Sequence, residues 1–136
     1  MSSKSDPLTT GAVSLGGGAG ALARWALTEA IPAESGQWPT AIFVTNISGC
    51  FAIGVLMVLV GEVWPARPLL RPFLGVGVLG GFTTFSTYAV DIGQLGAHGA
   101  MSLAVLYALG TLIGSLFATW IAIIVTRWAV ARRRTT

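Results

Sequence analysis

Four long apolar stretches, separated by short connectors, make up most of this 136-residue chain. They run approximately over residues 11–31, 39–60, 69–95 and 100–126. About 20 apolar residues in a helix cross the hydrocarbon core of a bilayer, so each stretch is long enough to span it once. The connectors carry proline and glycine and leave no room for another domain. The sequence therefore predicts an all-α membrane protein in which residues 1–136 form a single domain of four transmembrane helices.

The composition excludes a soluble enzyme. Hydrophobic residues make up 54% of the chain and charged residues 10%, whereas about a quarter of the residues in soluble proteins are charged. One cysteine, Cys50, and one histidine, His98, exclude an intrachain disulfide and a cysteine-rich or zinc-type metal site. No nucleophile or base stands in a catalytic context, and the C-terminal arginines follow an apolar stretch. We therefore expect neither enzymatic activity nor a nucleic-acid partner.

Basic residues are divided unequally between the two sides of the predicted bundle. Four spans place both termini and the second connector on one side, and seven of the eight Lys and Arg residues fall there. Because basic segments are retained in the cytoplasm, we expect a multi-pass protein of the cell membrane, the inner membrane in a bacterium, with both termini cytoplasmic. The seven residues are Lys4, Arg67, Arg71, Arg127, Arg132, Arg133 and Arg134.

Two polar residues lie inside apolar stretches, where they are costly. Arg24 is about 10 Å of helix from the nearer end of the first stretch. It either snorkels to the interface or provides a fixed positive charge facing an aqueous cavity that concentrates anions. Asn46 in the second stretch either makes an interhelical hydrogen bond or lines a pore as a donor for a desolvated anion. The sequence leaves both pairs of interpretations open.

The third stretch contains a segment that disfavours a continuous helix. Two adjacent glycines, Gly80 and Gly81, precede the β-branched pair Thr83 and Thr84. Each glycine costs about 1 kcal/mol relative to alanine in a helix. We expect a break near the bilayer midplane, where freed carbonyls can coordinate a cation such as Na⁺. The alternative is a glycine-lined close contact between unbroken helices.

Aromatic and hydroxyl side chains follow the expected break. Phe85 and Tyr88 are three residues apart and share a helix face, with Ser86 and Thr87 beside them. Positive ring edges and hydroxyl donors suit a dehydrated anion, although ordinary packing explains the same spacing. Thr111 on the fourth stretch adds a hydroxyl to one face, with packing again the alternative.

Glycines spaced four residues apart predict close helix packing in the membrane. Four short helices alone hardly enclose a pore with a broken segment at its centre, so we expect an oligomer. The three glycine pairs are Gly16 and Gly20, Gly77 and Gly81, and Gly110 and Gly114.

Three runs occur in order along the chain: GGAGALARW over residues 17–25, NISGCF over residues 46–51, and GGFTTFSTY over residues 80–88. Together they resemble the Fluc (CrcB) family of fluoride channels, and the resemblance covers nearly the whole chain. It implies a small fluoride-selective channel that lets fluoride leave the cytoplasm passively and so lowers its intracellular concentration. It also implies an antiparallel dimer with two pores and a central structural Na⁺ that is not transported.

The resemblance further implies roles for individual residues. The Na⁺ would be held by the backbone carbonyls of Gly80 and Thr83 from both subunits. This chain departs from the family at Tyr88, where a second phenylalanine is usual, and at Asp91, where a glutamate is common. The implied fluoride pathway comprises the vestibule residue Arg24, the pore residue Asn46, and Phe85, Ser86, Thr87, Tyr88 and Thr111.

An antiparallel homodimer requires one sequence to insert in both orientations, which the seven-to-zero basic bias opposes. We therefore hypothesise a heterodimer, within the lipid, with a homologous partner of opposite bias. Two alternatives remain. A small multidrug-type proton-coupled exporter needs a carboxylate near the middle of its first helix, where this chain has Arg24. A non-conducting partner subunit of a fluoride channel would have the same sequence features with an idle pathway.

Overall fold

The structure is a computed structural model that describes residues 6–65 and 67–134, without the side chain of Arg134. Every regular element in this part of the chain is helical. Helix α1 covers Pro7–Ala30 and helix α2 covers Thr40–Glu62. A third segment, Arg71–Ala97, is interrupted, and a long final helix covers Met101–Arg134. Lys4, counted above for topology, lies outside the described residues.

The third segment has three parts. A π-helical run, Arg71–Leu79, leads into a single turn, α3, over Gly80–Phe82. Helix α4 then begins at Phe85 and covers Phe85–Ala97, so the final helix, Met101–Arg134, is α5. α5 continues past residue 126, the predicted end of the fourth stretch, because the alanines and arginines that follow are good helix formers.

Within residues 6–65 and 67–134, three helices are long and apolar enough to cross a membrane: Thr40–Glu62, Arg71–Ala97 and Met101–Arg133. These three support the expected all-α membrane protein. Helix α1 has 24 residues, about 36 Å of helix, but it is not among them. Its glycines, threonines and Arg24 make it less apolar, and its membrane span stays a prediction.

The helices pack as two parallel pairs. α1 runs in the same direction as the first half of the third segment, with Gly16 against Phe73 and Gly77, and Gly20 against Val78 and Phe82. A methyl group added at Gly20 would overlap the carbonyl of Val78, so only glycine permits this approach.

The second pair consists of α2 and α5. Trp38, just before α2, packs edge-on against Tyr107 on α5. Further along, the hydroxyl of Thr119 donates to the carbonyl of Cys50 at 2.9 Å. At the far end Arg127 Nε lies 3.2 Å from Glu62 Oε1. These contacts follow one another in the same order along both helices, so α2 and α5 are also parallel.

The two ends of the bundle differ in character. Arg67, Arg71, Arg127, Arg132 and Arg133 lie at the end where α2 and α5 finish, which we call the basic end. At the opposite end Leu95, Ala104 and Tyr107 form a buried cluster under Trp38. Tyr107, with no exposed surface, is among the largest fully buried side chains.

Candidate ion pathway

The third segment leaves the helical conformation at two threonines near its centre. Thr83 (φ −73°, ψ 156°) and Thr84 (φ −148°, ψ 126°) are extended. The hydroxyl of Thr84 accepts a hydrogen bond from the amide of Thr87 at 3.2 Å and thereby caps α4. The break therefore falls just beyond Gly80 and Gly81, where the sequence predicted it. Gly81 itself packs closely against Gly17, so the third segment is broken and also makes a glycine-lined contact with α1.

Asn46 holds this break to α2 through both ends of its amide. Its Nδ2 donates to the carbonyl of Thr84 at 3.0 Å, and its Oδ1 accepts from the amide of Thr84 at 2.9 Å. Asn46 is buried, with 8% of its surface exposed. The interhelical hydrogen bond left open by the sequence is thus present, and it satisfies the amide of Thr84, which the break removes from the helix.

The break frees the two carbonyls that the resemblance assigns to Na⁺. In a continuous helix the amide of Thr84 would donate to the carbonyl of Gly80, and the amide of Thr87 to that of Thr83. Here the amide of Thr84 donates to Asn46, and the amide of Thr87 donates to the Thr84 hydroxyl. Both carbonyls therefore lose their helical donors. The Thr83 hydroxyl bonds within its own segment, to the carbonyl of Leu79 at 2.9 Å.

Arg24 approaches the same break from the side of α1. It is half-buried, and its Nε donates to the carbonyl of Gly81 at 3.3 Å. In a continuous helix that carbonyl would accept from the amide of Phe85. The guanidinium therefore lies beside the interruption and binds an acceptor that the break has exposed.

A groove of about 410 Å³ opens beside the break, on the side of α2 and α5. It brings together four of the predicted pathway residues, Asn46, Phe85, Tyr88 and Thr111, and the predicted Na⁺ ligand Thr83. Arg24, Ser86, Thr87 and Gly80 do not line it. We call it the Thr111 groove, and its lining is Asn46, Cys50, Thr83, Thr84, Phe85, Tyr88, Thr111, Leu112 and Ser115.

Hydroxyl groups near the Thr111 groove differ in whether they are engaged. The Tyr88 hydroxyl donates to the carbonyl of Ala108 at 2.9 Å, and that of Tyr107 donates to Asp91 Oδ2 at 3.1 Å. The ring of Tyr88, whose centroid lies 5.7 Å from that of Phe85, remains as groove lining. Thr111 is buried, and its hydroxyl has no hydrogen-bond partner among the described residues. The groove therefore presents aromatic rings and one unengaged buried hydroxyl.

Ser86 and Thr87 belong to the cap of α4 instead. Their hydroxyls lie 3.2 and 3.1 Å from that of Thr84. Thr87 also lines a second cavity, of about 220 Å³, at the end opposite the basic end, together with Asp91 and Glu34. Asp91 therefore places a carboxylate beside Thr87, in a cavity separate from the Thr111 groove.

Four residues of the groove were not predicted as site residues, and two of them, Cys50 and Ser115, could have been found; the other two are Thr84 and Leu112. Cys50 is four residues after Asn46, and Ser115 is four after Thr111, so each shares a helix face with a residue that was identified. The i, i+4 spacing was therefore the signal that would have found them. The hydrogen bond between Tyr107 and Asp91 had no such signal, because it joins two different helices.

Comparison with known proteins agrees with this geometry. Residues 11–123 match the family model described as CrcB-like protein, Camphor Resistance (CrcB). A protein of Nocardia farcinica named fluoride-specific ion channel FluC 2 is 50% identical over 129 residues, which cover 95% of this chain and 92% of that protein. Fluoride-specific ion channel FluC 1 of Streptomyces coelicolor is 48% identical over 88% of this chain and 75% of its own length. FluC of Rhodospirillum centenum is 40% identical over 88% of this chain and 96% of its own. The chain thus belongs to the CrcB family, a family of ion channels rather than enzymes.

Proposed function

We propose that this protein is a fluoride-selective channel through which cytoplasmic fluoride leaves the cell passively. The observation that carries the proposal is the unpartnered, buried hydroxyl of Thr111, in a groove beside an interruption of the third segment. A buried hydroxyl without a partner is costly, and a hydrogen-bonding ion passing through the groove would satisfy it. The relatives named as fluoride-specific channels support fluoride as that ion.

The chemistry of the groove suits a small, strongly hydrogen-bonding anion. A hydroxyl donor and the positive edges of aromatic rings can replace part of the water shell of the anion. Arg24 lies on the other side of the break and is bound to a carbonyl. It therefore adds positive potential near the pathway without a full charge in the groove that would trap the anion.

The same break fits a structural Na⁺. The carbonyls of Gly80 and Thr83 lose their helical donors, and neutral carbonyl oxygens are hard donors that suit an alkali cation. Two carbonyls from one chain are few for a cation, so a second subunit would have to contribute the same pair. A bound Na⁺ would supply positive charge that offsets the converging carbonyl dipoles and joins the two third segments.

The exposed aromatic ring beside the break supports a dimer. The ring of Phe85, at the break, is 79% exposed. A single chain therefore leaves the Thr111 groove open along the face that carries Phe85. We propose that a second, antiparallel copy or a homologous partner covers this face and completes the pathway.

The directions of the helices agree with a chain that crosses the membrane four times and has both termini in the cytoplasm. α1 is parallel to the third segment and α2 is parallel to α5, as alternation of four consecutive spans requires. The five described arginines of the basic end then face the cytoplasm. The rival exporter function lacks its carboxylate near the middle of the first helix, since the carboxylate that α1 carries, Glu29, lies next to its last residue.

The test is fluoride efflux from liposomes containing Thr111→Val or Thr45→Val protein. Both side chains are buried, and both hydroxyls are unpartnered among the described residues. Valine has the same shape, so neither change should harm folding. Only Thr111 lines the groove. We expect Thr111→Val to lower the fluoride efflux rate about tenfold, equivalent to about 1.4 kcal/mol in the barrier, and Thr45→Val to leave it unchanged.

Equal rates above the protein-free rate for the wild type and both variants would contradict the proposed pathway. Efflux at the protein-free rate in all three would favour a non-conducting partner subunit. An equal loss in both variants would indicate a general effect of removing buried hydroxyls. That result would also contradict the role assigned to the groove.

A further inference from the structure

An apolar ridge runs along the second half of α2 and separates two grooves. Phe51, Val55 and Leu59 are spaced four residues apart, and Trp64 follows them at the basic end. On one side the ridge borders a groove of about 750 Å³ between α2 and α5. On the other side it borders a groove of about 470 Å³ between α2 and the third segment. All four residues line both grooves, so the two grooves form one forked, apolar surface.

The open end of this surface is basic. Arg133 lines the larger groove at the end of α5, and Glu62 on the same rim is paired with Arg127 at 3.2 Å. Arg132, next in sequence, stacks over the ring of Trp128 at 3.8 Å and does not line either groove. Arg127 neutralises the negative charge of Glu62 on this rim, so the positive charge of Arg133 sets the electrostatic potential there.

We propose that this forked surface binds one anionic diacyl phospholipid. One acyl chain would lie in each groove, on either side of the ridge, and the headgroup phosphate would lie against Arg133. Two apolar grooves on either side of one ridge, the larger of which reaches the cationic side chain of Arg133, match the shape and charge of such a lipid. Anionic lipid headgroups also attract basic residues that stand just beyond a transmembrane helix. This site is independent of the fluoride pathway and does not rest on the proposed function.

The experiment measures lipid binding directly. Native mass spectrometry of the purified full chain in detergent would compare phosphatidylglycerol with phosphatidylcholine of the same acyl composition. We expect the wild type to retain phosphatidylglycerol in preference. Arg133→Gln should weaken phosphatidylglycerol binding about fivefold and leave phosphatidylcholine unchanged, since one arginine near an anionic lipid surface contributes that much.

Two matched pairs of variants locate the site. Arg132→Gln removes the same charge from the adjacent residue outside the grooves and should leave the preference intact. Ala129→Phe places a ring in the larger groove and should weaken binding of both lipids, whereas Ala131→Phe, exposed but outside the groove, should not.

Equal binding of the two lipids by the wild type would overturn the proposal. So would equal losses in Arg133→Gln and Arg132→Gln, which would indicate a diffuse charge effect. If Ala129→Phe instead dissociated a dimer and left lipid binding unchanged, the surface would be an interface between copies of this chain. Fluoride efflux is not used as a readout, so the outcome is separate from the fate of the channel proposal.

Discussion

At the scale of single residues, Asn46 has the clearest structural role in holding the interruption open. Its Oδ1 replaces the helical acceptor that the amide of Thr84 has lost, and its Nδ2 also donates to the carbonyl of Thr84. The sequence identified Asn46 as a polar residue needing a partner, but the partner lies 38 positions away and no local pattern connects the two. Thr111 was likewise found from its position on a helix face, whereas its lack of a partner depends on the packing around it.

Replacing Asn46 by leucine should destabilise the protein by about 2 kcal/mol, because the amide of Thr84 loses its acceptor and the carbonyl of Thr84 loses a donor. The free energy of unfolding, measured by denaturant titration in detergent micelles, checks this value. Ser48→Ala is the control, since in the described part of the chain the Ser48 hydroxyl bonds only to carbonyls of its own helix. If Asn46→Leu lowered the free energy of unfolding by less than about 0.5 kcal/mol, water or other groups would replace the two hydrogen bonds of Asn46.

At the scale of helices, contact between α1 and the third segment fixes where the interruption falls. Spacing of glycines predicted close packing, and the structure places Gly16 and Gly20 against the third segment near Gly77 and Phe82. Propensity predicted the break in the segment that contains both the glycine pair and the threonine pair, Thr83 and Thr84. The glycines remain helical, with Gly81 packed against Gly17 of α1, and the two threonines leave the helix. Local sequence therefore located the segment of the break, and tertiary contacts decide which of its residues are extended.

Gly20→Ala should separate α1 from the third segment and destabilise the protein by about 1–3 kcal/mol, the usual cost of overpacking. Gly18→Ala is the matched control on the same helix, because a methyl group there meets open space. We expect the control to be neutral or up to about 1 kcal/mol more stable, from the better helix propensity of alanine. Thermal unfolding in detergent distinguishes the two, and equal melting temperatures would refute the close contact.

At the scale of the whole molecule, the direction of the helices brings the basic residues to one end of the bundle. The basic residues of α5 and of the connector before the third segment meet at one end of the bundle, as four alternating spans predict. The sequence was sufficient for this feature because charge bias depends on counts rather than on contacts. It was not sufficient for the Thr111 groove, since that surface is made by side chains from separate helices.

Expressed alone, the chain should insert with its termini in the cytoplasm and in that orientation only. Protease accessibility of a tag at each terminus in intact spheroplasts measures the orientation directly. A substantial fraction of chains with external termini, together with fluoride efflux from those cells, would remove the hypothesis of a heterodimer. Purified protein reconstituted from detergent is no longer constrained by insertion, so antiparallel pairing can be studied there with this chain alone.

The most direct test of the central claim is the initial rate of anion efflux from liposomes that contain the purified wild-type protein, with fluoride in one set and chloride in the other. A groove that offers a small anion one hydroxyl and aromatic edges should pass fluoride far above the protein-free rate and leave chloride at that rate. Chloride efflux as fast as fluoride efflux, or fluoride efflux no faster than in protein-free liposomes, would contradict it.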